Sequence, residues 1–134
     1  MKLHILYLLI FVFFVSCVNN SQNNRNNKNS NKPEMTFRDS VYDFSSLDRG
    51  DEVAHRFVFT NTGSEKLVID EVKAGCGCTT VPYYSSRVIS PGDTGSVKVK
   101  LETAGLFGYQ AKLILVRSNA QNARKRLVVK AYVE

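Results

Sequence analysis

The chain predicts an all-β fold, an immunoglobulin-like β-sandwich of about seven strands over residues 34–134, and three observations carry that expectation. Apolar and polar residues alternate with a period of two, most plainly Val53, His55, Phe57 and Phe59 against Ala54, Arg56, Val58 and Thr60. Clusters of turn-forming residues, such as Asn61-Thr62-Gly63-Ser64 and Ser90-Pro91-Gly92-Asp93, separate these segments. No segment of the domain carries a helical period. Absence of Trp and of widely spaced cysteines argues against an antibody-type domain.

Taken in order, the run from Val53 to Thr60 is a half-buried strand, and Leu67 to Val72 is a second apolar stretch that Gly75-Cys76-Gly77-Cys78 interrupts. At the turn that follows, Pro91 presets the first corner and Gly92 accepts a positive φ at the second. Val97, Val99 and Leu101 then alternate with Ser96, Lys98, Lys100 and Glu102, which leaves one face wet. Gly105, Gly108 and Tyr109 mark a loop that carries Leu106 and Phe107, with a kink that tucks Phe107 into the core as the favoured reading and an apolar tip for a partner as the other. Leu113 to Val116 is continuously apolar, as in a strand covered on both faces. Leu127, Val129, Ala131 and Val133 supply the inward face of a last strand.

The N-terminus has another character. Met1-Lys2 is a short positive head, Leu3 to Val15 is almost wholly apolar, and small Ser16 stands immediately before Cys17. That pattern predicts a lipoprotein signal peptide over residues 1–16, cleaved so that the Cys17 thiol takes the lipid. The apolar core falls short of the roughly 20 residues a spanning helix needs. More than one acyl chain would keep the anchor in the membrane. Residues 17–33 then form the lipidated cysteine and an Asn-rich tether that cannot bury enough apolar surface to fold. At about 5 to 6 Å times the square root of its length, such a tether reaches roughly 20 to 25 Å.

The net charge of +6 does not belong to the domain. Lys2 leaves with the signal and Arg25, Lys28 and Lys32 lie in the tether, so 14 of the 18 basic residues face 12 acidic ones, a balance of +2. Nucleic-acid binding loses its main support, and the tether's charge suits anionic lipid headgroups. Arg124-Lys125-Arg126 is expected to be a solvated turn before the last strand.

Phe57-Val58-Phe59-Thr60-Asn61-Thr62-Gly63, Leu67-Val68-Ile69, Cys76-Gly77-Cys78-Thr79, Ile89-Ser90-Pro91-Gly92-Asp93-Thr94-Gly95 and Ser118-Asn119 occur in this order. The set resembles the bacterial family known as domain of unknown function 1573, over most of residues 37–133. The resemblance implies an immunoglobulin-like domain related to those of the ciliary protein Hydin and to the pilus-chaperone fold. It also implies a lipoprotein of the kind common in Bacteroidota and no agreed activity; by that family expectation, Val18 after the lipidated cysteine and the lack of an acidic patch in Asn19 to Asn24 favour retention in the outer membrane facing the periplasm over surface display. The segment Asp43-Phe44-Ser45 departs from the family, many of whose members have Gly after the Phe. Asn61, Gly63, Gly77, Pro91 and Gly92 are the motif's turn-forming positions, with Asn tolerating left-handed geometry and Gly lacking a side chain to clash.

Cys76-Gly77-Cys78 is the one constellation with chemistry to offer. Residues i and i+2 of an extended strand face the same way, so both sulfurs point to one side. A disulfide would require Gly77 to bend, and so small a ring would be readily reduced. Two thiolates could instead hold Cu(I) or half a zinc site, or both thiols could pack unreacted in the core. With His55 the one histidine of the mature chain, a closed four-ligand zinc site lacks donors, so no metal, cofactor or small-molecule substrate is assigned. His55 shares its strand face with Phe57 and Phe59, as a packed residue does, and Asp70 and Glu71 are expected on opposite faces, so no catalytic set emerges. A redox enzyme is further opposed by the lack of a helix N-terminus to depress a thiol pKa. The expectation is a non-enzymatic, lipid-anchored envelope module with a protein partner, the alternative being thiol-redox or copper-handling work through Cys76 and Cys78.

Overall fold

The computed structural model describes residues 31–84 and 88–134. The signal segment 1–16, Cys17 and most of the tether lie outside the described residues. Nine strands occur among those described: β1 (Met35–Phe37), β2 (Val41–Leu47), β3 (Glu52–Asn61), β4 (Leu67–Ala74), β5 (Thr79–Tyr84), β6 (Val88–Ile89), β7 (Thr94–Glu102), β8 (Gly108–Ser118) and β9 (Arg124–Val133). They build two sheets, one in the order β1-β3-β7-β5 and the other β2-β9-β8-β4-β6. The surplus over seven comes from short pieces, the three-residue β1 and two-residue β6, which carry too few residues to show a period.

Alternation decides what the sheets enclose. Phe57 and Phe59 from β3, Val97 and Val99 from β7, Ile114 and Val116 from β8, and Leu127 and Val129 from β9 are all buried between the two layers. Each such side chain taken out of water contributes about 1.5 to 3 kcal/mol, so the four long strands carry the core. The long β3 and β7 pair antiparallel without a break from Glu52↔Glu102 to Thr60↔Thr94, which locks this set of faces inward.

Four expectations are corrected. Ile114 and Val116 are buried but Leu113 is exposed, so β8 is covered on one face only and its outer face carries apolar side chains. A register shift between Ile69 and Glu71 inserts a residue into β4, so Asp70 and Glu71 both lie off the core face, between inward Ile69 and Val72. Arg124-Lys125-Arg126 is the beginning of β9, paired with β8, rather than a turn. Phe107 is 75% exposed, because the left-handed Gly108 (φ 69°) turns the chain into β8 with that ring outside.

The irregular Asp43-Phe44-Ser45 segment has a concrete geometry. Ser45 sits at φ 62°, the one non-glycine in the left-handed region among the described residues, where β2 shifts register against its parallel neighbour β9. Left-handed backbone is sterically easy for glycine and costly for a residue with a Cβ. Here the Ser45 amide donates to Asp43 Oδ1 at 2.8 Å and holds the bend.

Candidate functional site

Connections gather at two ends of the sandwich. At the first, the incoming chain is clamped: the Gln121 amide donates to Pro33 O, the Thr62 amide to Glu34 O and the Ser64 amide to Lys32 O. Asn61 organises this end. Fully buried, it donates from Nδ2 to Glu65 O (2.7 Å) and Ile89 O (3.1 Å), and accepts at Oδ1 from the Glu34 (3.3 Å) and Gly63 (3.1 Å) amides. Both donors and both acceptor positions of the amide are used. Its φ is not left-handed, so the turn role expected of Asn61 is replaced by that of a tie between the N-terminal segment, the β3–β4 turn and β6. Gly63 is likewise required for closeness: a Cβ there would fall 2.7 Å from the Pro33 carbonyl carbon. Pro91-Gly92 makes the expected turn, with Gly92 at φ 82° and the Asp93 amide bonded to Ser90 O.

The opposite end holds the cysteines. β4 leaves the second sheet after Ala74, the Gly75 amide still bonding to Leu113 O at 2.8 Å, and Cys76-Gly77-Cys78 crosses to the first sheet, where Cys78 O accepts from the Glu102 amide at 3.0 Å. The Thr79 amide closes the turn onto Cys76 O at 3.3 Å. Cys76 and Cys78 are disulfide-bonded, with their Cα atoms 5.5 Å apart and both residues half-buried. Gly77 bridges them without left-handed backbone and with open space around its Cα. Closing a three-residue loop constrains the unfolded chain by only about 1.5 to 2 kcal/mol, against about 3 for a loop of fifteen. Backbone bonds already hold both flanks, so this disulfide adds little to the fold.

Thr79 was not singled out from the sequence and is the residue that gives the pair an environment. It is 3% exposed, and its hydroxyl lies 3.5 Å from Cys76 Sγ and 4.0 Å from Cys78 Sγ. Neither disulfide sulfur carries a proton, so the hydroxyl is the donor. The signal available beforehand was its place directly after the second cysteine. Around this end the Thr103 hydroxyl donates to Asp48 O at 2.8 Å and accepts from the Gly50 amide at 2.9 Å, so the β2–β3 and β7–β8 loops are tied beside the crossover.

His55 is packed. Tyr42 stacks on it with ring centroids 3.6 Å apart, and Phe57 meets it edge-on at 4.6 Å. Asp39 Oδ1 lies 3.5 Å from Nε2, close enough for an ion pair but not aligned as a hydrogen bond, which leaves both atoms without a hydrogen-bond partner. The disulfide is formed elsewhere, so His55 is not joined to the cysteines. Among the described residues no three His, Cys, Asp or Glu side chains gather as metal ligands do.

Residues 35–133 match the family model described as protein of unknown function (DUF1573). The chain belongs to this family. Among solved structures, the DUF1573 chain is similar to a protein of unknown function from Porphyromonas gingivalis W83 (TM-score 0.66, 20% identity, covering 75% of this chain and 46% of that one). It is also similar to the ASH/PapD-like domain 7 of human CEP192 (TM-score 0.62, 9% identity, 77% and 87% covered). The secreted serine protease VesC from Vibrio cholerae shares the fold over 23% of its own length (TM-score 0.60, 12% identity, 75% of this chain). The chain thus spans less than half of the Porphyromonas protein and under a quarter of VesC. At these identities the likeness is one of fold, an immunoglobulin-like, PapD-like sandwich. No curated protein sequence matches the chain.

Proposed function

We propose that this DUF1573 protein is a lipid-anchored envelope module, non-enzymatic, that holds its sandwich out from the membrane to a protein partner. The observation that carries the reading is the separation of the two ends. The chain arrives at the Asn61 end, while Phe107 and the Cys76–Cys78 crossover lie at the other. The 10-residue β3 between them spans roughly 33 Å. Added to the tether's reach of roughly 20 to 25 Å, that allows the far end to stand about 55 Å from a lipid on Cys17. Outward-facing Val41, Leu113, Tyr109 and Tyr132, with Phe107, supply exposed apolar surface of the kind protein interfaces use. The reading takes the lipid on Cys17 as an outer-membrane anchor and the domain as periplasmic, supported by Val18 directly after the lipidated cysteine and by the lack of an acidic patch in Asn19 to Asn24.

Fatty-acid labelling with mass spectrometry of Cys17, protease shaving of intact cells and capture of crosslinked partners from envelopes test the three parts. A bare Cys17 in membrane extracts removes the anchor, and loss to external protease removes the periplasmic placement. Failure to recover any partner above background removes the interaction. A second reading, thiol-redox or copper-handling work through Cys76 and Cys78, has one observation in its favour: both sulfurs belong to half-buried residues rather than sealed core.

A further inference from the structure

We propose that Cys76–Cys78 is a directional thiol–disulfide exchange site, in which Cys78 is attacked, Cys76 is the leaving sulfur and Thr79 is the positioning residue that receives it. The proposal rests on the thiol-redox reading and takes a protein dithiol as its substrate class. A thiolate can attack either sulfur of a disulfide, and the path that leaves the better-stabilised thiolate is the faster. The Thr79 hydroxyl distinguishes the two, lying nearer Cys76 Sγ than Cys78 Sγ, 3.5 against 4.0 Å. At 3% exposure its proton meets little competition from water. The Thr79 amide, bonded to Cys76 O, keeps the hydroxyl on the Cys76 side after the bridge opens. In this way a side-chain donor supplies what a helix N-terminus supplies in other thiol sites.

A partner thiol loses its proton to solvent and its sulfur bonds to Cys78 Sγ. The Cys76–Cys78 bond breaks, and its electron pair stays on Cys76 Sγ, which the Thr79 hydroxyl stabilises. The partner's second thiolate then attacks the sulfur of its own first cysteine, releasing Cys78 as thiolate. Two protons from solvent complete the dithiol: the partner is oxidised to a disulfide by two electrons, and this chain is reduced by the same two. The Cys76-Gly77-Cys78 loop closes only three residues and the flanking backbone bonds do not depend on it, so the sandwich survives both states.

The test uses the full chain in detergent and reduced glutathione as a monothiol probe, with acid quenching, alkylation and peptide mass mapping. The expected result is reversible opening of the pair, with glutathione on Cys78 exceeding that on Cys76 about tenfold. Thr79→Val is expected to slow opening about fivefold and to level that ratio, while Thr79→Ser restores both, since one hydrogen bond of ordinary strength is worth about that factor. Equal labelling, or labelling mainly on Cys76, in the wild-type chain overturns the assigned direction and leaves the thiol-redox reading standing. Slowing by Thr79→Ser equal to that by Thr79→Val overturns the hydroxyl's part. A pair that folded protein never opens, at any glutathione concentration, overturns this inference and the thiol-redox reading together.

Discussion

Replacing Asn61 by Ala should be among the most damaging single changes available outside the hydrophobic core. The substitution strands four backbone groups at once: the carbonyls of Glu65 and Ile89 and the amides of Glu34 and Gly63. A typical hydrogen bond contributes about 0.5 to 1.5 kcal/mol net, and a buried group left unpaired costs about 1 to 3. The Ile89 contact is buried and takes the larger penalty, while the other three are partly reachable by water and take the smaller. The sum is about 3 to 4 kcal/mol, a large share of the roughly 5 to 15 that holds a domain of this size. At 4 to 8 °C per kcal/mol, the melting temperature should fall by about 12 to 32 °C. Urea unfolding followed by circular dichroism gives the value directly, with the slope m unchanged if the denatured chain is unaltered. Asn61→Asp provides a control of opposite chemistry: it keeps the acceptors but turns an oxygen toward the Glu65 and Ile89 carbonyls, and it should be no milder. A loss below about 1 kcal/mol for Asn61→Ala would show that the tie is redundant and refute the reasoning.

Ser45→Gly should stabilise the domain by about 0.5 to 1 kcal/mol, since it removes a left-handed penalty and keeps the amide that bonds Asp43; a lower urea midpoint would count against it. Phe107→Ser should leave the melting temperature within about 2 °C, as a surface change does, yet weaken partner capture from crosslinked envelopes; unchanged capture would remove Phe107 from the interface. Glu71 has its carboxyl held below the ordinary 4.5, first by the hydrogen bond from Lys73; desolvation, the next largest effect, raises it, and the charges of Lys73 and then Arg117 lower it further. Its contribution is therefore present above pH 4.5 and lost as pH falls through the lower folded value, so Glu71→Gln should flatten that part of the acid limb of a stability–pH curve. A wild-type and a variant curve that run parallel below pH 4.5 would disprove the linkage.

Much of the architecture was legible because burial imposes its own period. Residues 53 to 60 and 96 to 102 place every second side chain inward, and β3 and β7 do so in the structure. Where the signal was composition alone, the same reasoning erred. Leu113-Ile114-Leu115-Val116 is apolar throughout, and only the position of β8 over the first sheet decides that 114 and 116 turn inward while 113 is exposed. Asp70 and Glu71 obey alternation only while the register is unbroken, and a bulge is set by how β4 pairs with β8, a partner more than 40 residues away. At the candidate site, the sequence supplied the cysteines and their spacing but not the proton donor beside them.

What the order of residues determined by itself was local: the period of the strands, the chain reversal at Pro91-Gly92 and the family motif, each a matter of neighbours a few positions apart. What only tertiary structure decided was who meets whom. Asn61 and Gly63 stand in a turn-like string, yet one is a saturated buried tie and the other a point where backbone passes too close for a Cβ, because residues 32–34 return against them. The physical reason is the range of the forces involved. Backbone sterics and side-chain alternation act within a few residues, whereas hydrogen-bond saturation, close approach and the environment of a sulfur depend on segments that the folded chain alone brings together.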